Sequence, residues 1–231
     1  MNVKTIGLIG GMSWESTVTY YQVINETIKQ KLGGFHSAKI LMYSVDFDEI
    51  ETNMTSGNWT KNATILSDAA KRLETAGTDF ILICTNTLHK VAPEVRKQLS
   101  VPILHIAEVT ARELKKAGID STGLLGTRFT MTEKFYTDVL EQNGIRVLIP
   151  EEEDVQITDR IIFDELCIGD IRDTSREKLI GIMECLRKKG AQGIVLGCTE
   201  LGLLVSPKDT DIPLFDTTLI HAKAAALASL E

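Results

Sequence analysis

A chain of 231 residues has room for one large α/β domain or two small ones, and buries a sizeable core in either case. Apolar residues at 43% and charged residues at 25% sit near globular averages, which argues against a disordered chain. A formal charge of -7, with no Lys/Arg block to offset it, argues against a nucleic-acid or acidic-membrane surface and points to a small ligand.

From the start, Met1 leads straight into Val3-Lys4-Thr5-Ile6-Gly7-Leu8-Ile9-Gly10, which reads as a strand and not as a signal segment. No run approaches the roughly 18 apolar residues that span a bilayer. The cysteines, Cys84, Cys167, Cys185 and Cys198, lack the paired spacing of a zinc site, and a core of this size needs no disulfide framework. A reduced, soluble, cytoplasmic protein is expected.

Strand-like and helix-like runs alternate. Residues 5–9 form a strand, and Gly10-Gly11-Met12-Ser13 leads to a helix over 14–31, with Ser13 the N-cap and Ser16 a weaker candidate; Gly33-Gly34 ends it. A strand over 40–45, a helix over 59–75 and a strand over 80–84 follow. A short helix over 92–99 carries Pro93 in its first turn. Val101-Pro102-Ile103-Leu104 starts another strand, and 107–117 a helix that stops at Gly118.

The pattern then begins again. Ser121-Thr122-Gly123-Leu124-Leu125-Gly126 echoes the opening strand, with Phe135-Tyr136 in the following helix where Tyr20-Tyr21 stands in the first. Gly190-Ala191 before Gly193-Ile194-Val195-Leu196-Gly197 echoes Ala76-Gly77 before Phe80-Ile81-Leu82-Ile83, and Ile212-Pro213-Leu214-Phe215 echoes Val101-Pro102-Ile103-Leu104. The offsets, 123 − 7 = 116, 190 − 77 = 113 and 213 − 102 = 111, drift slowly as a few deletions would produce. The fold class predicted is α/β: two pseudosymmetric halves, 1–117 and 118–217, each a parallel sheet flanked by helices, with a last helix within 218–231 packing across them. Glu151-Glu152-Glu153-Asp154 reads as a solvated loop, and Cys185 as helix packing.

Two of the echoed strands end in a Cys-Thr pair, Cys84-Thr85 and Cys198-Thr199. Chemistry is commonly placed at the carboxyl ends of parallel strands. Pseudosymmetry would set these two ends opposite one another across a cleft, which suits stereoinversion: one group removes a Cα proton and another returns one to the opposite face. Cys198, at a strand end before a helix start, is in a setting that favours a thiolate. Cys84 reads as a buried core cysteine.

These motifs carry a resemblance. Cys84-Thr85-Asn86-Thr87-Leu88-His89, Gly197-Cys198-Thr199-Glu200-Leu201, Gly7-Leu8-Ile9-Gly10-Gly11-Met12-Ser13, Leu125-Gly126-Thr127-Arg128-Phe129-Thr130-Met131, Ser44-Val45-Asp46-Phe47 and Phe215-Asp216-Thr217 together resemble the aspartate/glutamate racemase family from end to end. The likeness is greatest to its bacterial branch with a Thr-Asn-Thr first motif. The resemblance implies a cofactor-independent racemase that yields D-amino acids, with the active site between the halves, usually as a homodimer, and with no pyridoxal phosphate or metal. It places the catalytic pair at Thr85 and Cys198. It gives Asn86, Thr87 and Thr199 the substrate's carboxylate and amino groups, and Met12, Ser13, Thr127 and Thr130 the entrance.

Two departures follow. Thr85 stands where many relatives have a thiol, so Cys198 alone offers a resting base and slow or directional inversion is expected. In the segments 51–54 and 164–169, where the resemblance places the basic residues of relatives acting on dicarboxylic amino acids, there is no Lys or Arg; Met54, Cys167 and Ile168 are candidate pocket residues there, and their apolar character leaves room for a neutral substrate side chain. Arg128 either supplies a charge to the substrate or is an exposed helix-start arginine. His89 either orients Thr85 or Asn86 or is a satisfied helix-start histidine, and Glu200 either meets the substrate ammonium or is a helix N-terminal carboxylate. His105 and His221 have no metal-site spacing. Gly7 to Gly11 lacks the Gly-x-Gly-x-x-Gly pattern because residue 12 is Met12. The rivals are a single-thiol isomerase or decarboxylase on the same fold and a non-catalytic amino-acid-binding protein.

Overall fold

The computed structural model describes residues 3–231, so Met1 lies outside the described residues. The chain forms two compact units, Met1–Ile106 with Thr218–Glu231, and Ala107–Thr217. The first contains β1 (Thr5–Gly10), α1 (Trp14–Leu32), β2 (Lys39–Ser44), α2 (Phe47–Thr55), α3 (Trp59–Thr75), β3 (Phe80–Ile83), a 3-10 turn over Thr87–Val91 and α4 (Ala92–Arg96). After α5 (Ile106–Lys116), the second runs through β4 (Ser121–Gly126), α6 (Arg128–Thr132), α7 (Lys134–Gln142), β5 (Arg146–Leu148) and α8 (Glu152–Asp164). A 3-10 turn over Leu166–Ile168, α9 (Asp173–Lys188), β6 (Gly193–Gly197), α10 (Leu201–Leu204) and β7 (Leu214–Asp216) complete it. The last helix, α11 (Thr217–Ala228), returns to the first unit.

Each sheet is parallel and has the same order. In the first unit it is β2-β1-β3, extended by a bridge between Ile81 and Ile103; in the second it is β5-β4-β6-β7. The register repeats as well. Gly7 pairs with Ile81 as Gly123 pairs with Ile194, and Ile81 bridges Ile103 as Ile194 pairs with Leu214. The corresponding offsets are 123 − 7 = 116, 194 − 81 = 113 and 214 − 103 = 111. The drift visible in the sequence is thus the spacing of two equivalent sheets.

Position in the sheet follows side-chain chemistry. The central strands β1, β3, β4 and β6 are apolar and almost wholly buried, while β2, β5 and β7 are partly open. In α1, Tyr20, Ile24 and Ile28 recur every four residues and form one buried stripe. That stripe packs with Ile6, Leu8, Phe80, Leu82 and, from α11, Ala222, Ala225 and Ala226. Each large aliphatic side chain so buried contributes about 1.5–3 kcal/mol. The second core gathers Leu125, Leu179, Met183, Leu186, Ile194 and Leu196.

Several expectations are corrected. The segment at 101–104 forms only a one-residue bridge: Pro102 accepts from Ile81 but has no N–H to extend the pairing backwards, and beyond Leu104, which donates to the Ile81 carbonyl, the Leu104 carbonyl lies 2.8 Å from His221 Nε2 and not against β3. The compact units divide at Ile106/Ala107, so nearly all of α5 lies in the second unit, where Thr110 lies beside the buried Tyr136 phenol. The acidic run at 151–154 is no loop: Glu151 is the N-cap of α8 and the next three carboxylates fill its first turn, where the helix dipole favours them. Cys185 is exposed, since α9 buries Ser175, Leu179, Ile182, Met183 and Leu186 on its other face. Among the described residues no helix is long and apolar enough to cross a membrane.

Candidate active-site residues

In the first unit, two strand ends deliver the polar residues. β1 ends in Gly10-Gly11, and Gly11 has φ +92°; a β-carbon there would collide with the Val45 carbonyl oxygen, so only glycine serves. The turn brings Met12 and Ser13 to the start of α1, both buried. Ser13 is the N-cap: its Oγ accepts from the Ser16 N–H at 3.4 Å, and its carbonyl accepts from the Ser16 and Thr17 hydroxyls at 3.0 and 2.9 Å. Ser16 therefore supports the cap and does not supply it. The Gly11 N–H donates to Thr17 Oγ1 at 2.9 Å and closes the turn.

β3 delivers the second set. Cys84 has no exposed surface, belongs to the apolar cluster under α1, and has its thiol pKa pushed far up by burial. Thr85, Asn86 and Thr87 follow it, all buried, with Thr85 at 8% exposure keeping slight access to solvent. The His89 ring holds this loop, with Nδ1 2.7 Å from the Thr85 carbonyl oxygen and Nε2 accepting from the Ile106 N–H at 3.2 Å. A carbonyl only accepts, so Nδ1 carries the hydrogen. Both ring nitrogens of His89 are thus satisfied, and the ring is tied to the main chain of Thr85. Met54 is buried on α2 of the same unit.

In the second unit, β4 and β6 end side by side. Thr127, after β4, caps α6: its Oγ1 accepts from the Thr130 N–H at 3.3 Å and lies 3.2 Å from Thr130 Oγ1. Gly126 and Gly197 face one another at the strand ends; a β-carbon on Gly126 would stand 2.8 Å from the Gly197 carbonyl oxygen and 3.2 Å from Thr130 Cβ. This close approach brings Thr130 over the start of the β6 turn.

That turn carries Cys198, Thr199 and Glu200, all buried. Glu200 folds back along it. Its Oε2 accepts from the Cys198 thiol at 3.0 Å and from the Thr199 hydroxyl at 2.7 Å. Burial, then the neighbouring Glu200 carboxylate, raise the Cys198 pKa well above its ordinary value, and Cys167 acts in the same direction. The setting expected to favour a thiolate is thus opposed by burial and by the adjacent carboxylate, both of which favour the thiol. Sequence reasoning named Glu200 but missed its partner.

Cys167 is half-buried against the second core, whereas Ile168 is 73% exposed. The Arg128 backbone N–H donates to Asp159 Oδ1 at 2.7 Å, and its guanidinium stands over the Phe129 ring at 5.1 Å. Arg172, beyond Cys167, pairs with Asp170 and Glu165. Both of these guanidiniums thus have acidic or aromatic neighbours within their own unit. Among the described residues no group of three or more His, Cys, Asp or Glu side chains is placed to hold a metal ion.

The Asp/Glu/Hydantoin racemase family profile matches residues 9–225. The broad specificity amino-acid racemase RacX of Bacillus subtilis (strain 168) is 26% identical over 229 residues, covering 95% of each chain. A crystal structure from Yersinia pestis, of a protein assigned as an Asp/Glu racemase, is 50% identical with a TM-score of 0.92, over 99% of this chain and 100% of that one. An aspartate racemase homologue from Pyrococcus horikoshii OT3 is 35% identical with a TM-score of 0.86, over 99% and 100%.

Proposed function

The chain belongs to the Asp/Glu/Hydantoin racemase family, and from that premise we propose that it is an amino-acid racemase that needs no pyridoxal phosphate, with Cys198 as its principal acid and base. The observation that carries this reading is the buried hydrogen bond from the Cys198 thiol to Glu200. A racemase needs a base that forms on demand. The thiol proton passes to Glu200, the thiolate removes the substrate's Cα proton, and the electron pair left on carbon is delocalised into the substrate carboxylate. Backbone N–H groups beside Thr87 and Thr199 are suited to the charge that develops there.

Return of a proton to the other face falls to Thr85. A hydroxyl holds no resting anion near neutral pH, so Thr85 donates; water restores its proton, and the hydroxide so formed is neutralised by the proton that Glu200 took, which leaves Cys198 a thiol and Glu200 a carboxylate once more. Asn86, Thr87 and Thr199 fix the amino-acid backbone, and tight positioning carries much of the rate. Glu200 serves the thiol in this scheme and not the substrate ammonium.

Cα hydrogen–deuterium exchange tests the reading, with L- and D-amino acids bearing acidic and neutral side chains incubated with enzyme in D₂O. Exchange with inversion for one side-chain class, abolished in Cys198→Ser, is expected. No exchange with any member of the panel overturns it in favour of a single-thiol lyase or a binding protein. Light scattering on the same sample checks the homodimer that the resemblance implies.

A further inference from the structure

The first unit buries three histidines, His89, His105 and His221, together. The His89 ring centroid is 4.5 Å from that of His105 and 6.0 Å from that of His221, and the Tyr20 ring meets His221 edge-on at 5.6 Å. Their hydrogen bonds fix two tautomers. His89 donates from Nδ1 to the Thr85 carbonyl and accepts at Nε2 from the Ile106 N–H. His221 lies 2.8 Å through Nε2 from the Leu104 carbonyl and 2.9 Å through Nδ1 from the Tyr20 hydroxyl. Because the carbonyl only accepts, His221 carries its hydrogen on Nε2 and Tyr20 donates to Nδ1. Each ring spends one donor and one acceptor, which only a neutral imidazole can do.

The partners of these rings are the places where the chain leaves and re-enters the first unit. The chain departs at Ile106/Ala107 and returns at Thr217/Thr218. His89 holds the N–H of Ile106, the last residue before the departure, and His221, in the first turns of α11 after the return, holds Leu104, two residues before it. His105 stands between and packs on His89. One network thus joins the outgoing chain, the returning chain and the main chain of Thr85.

We propose that His89 is a positioning residue for Thr85, and that His221 and Tyr20 brace the connecting segment that His89 grips, so that the setting of Thr85 depends on both connections. The catalytic half of this inference rests on the racemase reading. In the Cys198-initiated direction, the carbanion either recovers a deuteron on the face it came from or is protonated by Thr85 and inverts. A displaced Thr85 impairs only the second outcome.

The test compares wild type with His89→Ala, His89→Asn and Tyr20→Phe in D₂O. It reads, for each enantiomer, the ratio of Cα exchange without inversion to inversion, a ratio that does not depend on the fraction of folded enzyme. His89→Ala is expected to raise this ratio at least tenfold for one enantiomer and to lower kcat by about 10–100-fold, with KM within about threefold. His89→Asn keeps a donor for the Thr85 carbonyl and is expected to recover part of the loss; Tyr20→Phe is expected to shift the ratio a few-fold. An unchanged ratio alongside a lowered kcat overturns the proposal in favour of a purely structural role. If wild type exchanges no amino acid, the racemase reading fails, and amide hydrogen exchange at Ile106 decides the link: protection lost in His89→Ala supports it, and protection unchanged overturns it.

Discussion

Glu200 accepts a hydrogen bond from the Cys198 thiol at 3.0 Å, inside a turn where both side chains are buried. The carboxylate raises the thiol pKa, and in the proposed mechanism it takes the thiol proton. These two effects make opposite predictions for one substitution. In Glu200→Gln the thiol loses a neighbouring negative charge, so its pKa falls, and alkylation of Cys198 at pH 8 should become faster than in wild type. Turnover should nevertheless fall by about 10²–10⁴-fold, because the proton acceptor is gone. Faster alkylation together with wild-type turnover would exclude Glu200 from the proton's path.

The histidine cluster makes stability depend on pH in a known direction. Burial lowers the His221 pKa to about 3, and burial, with the Arg96 guanidinium, lowers that of His105 to about 4; burial lowers His89 as well. In the unfolded chain each titrates near 6.5. The unfolded state therefore binds more protons below pH ~6.5, and stability is lost as pH falls through the window from 6.5 towards 4 and 3. His105 and His221 alone cost about 3 kcal/mol between pH 6.5 and 5. Asp159, whose pKa is raised by burial, works weakly the other way. Urea denaturation at pH 7.5 and 5.0 should show a clear fall in midpoint, and a level profile would contradict the neutral, buried assignment.

Gly11 is fixed by backbone geometry and not by chemistry. Gly11→Ala must either abandon φ +92° or press its β-carbon onto the Val45 carbonyl, at a cost of about 1–3 kcal/mol. For a chain of this size that corresponds to a fall in Tm of roughly 3–10 °C. Gly181 on α9 is the control: a β-carbon there meets nothing within 4 Å, so Gly181→Ala should leave Tm unchanged or raise it slightly.

Much of this architecture was legible because it rests on local signals. The runs that became β3 and β6 end abruptly in small polar residues, and Ser13 precedes a stripe of apolar residues four apart, so strand ends and cap could both be read. The repeat was legible because register offsets are sequence offsets. What escaped was set by folding-back. That Glu200 turns to Cys198 depends on the turn over 198–200, and that His89, His105 and His221 meet depends on α11 returning to the first unit. Pro102 misled because an apolar run signals a strand even where the chain can offer only one bridge.

Thr85 provides the sharpest test of unequal faces. Its side chain is a hydroxyl at the position where the family resemblance expects a thiol, and its carbonyl is held by His89 at 2.7 Å. Thr85→Ala removes the donor but leaves Cys198 and Glu200 intact, so the enantiomer that presents its Cα proton to Cys198 should still exchange with D₂O while inversion falls by about 10²-fold. Thr85→Cys supplies a second thiol, and exchange should then begin from both enantiomers at comparable rates. The pH profile of the two directions should also converge, since each would now require a thiol to lose its proton. Equal loss of exchange and inversion in Thr85→Ala would instead mean that Thr85 holds the substrate and that the second proton comes from elsewhere.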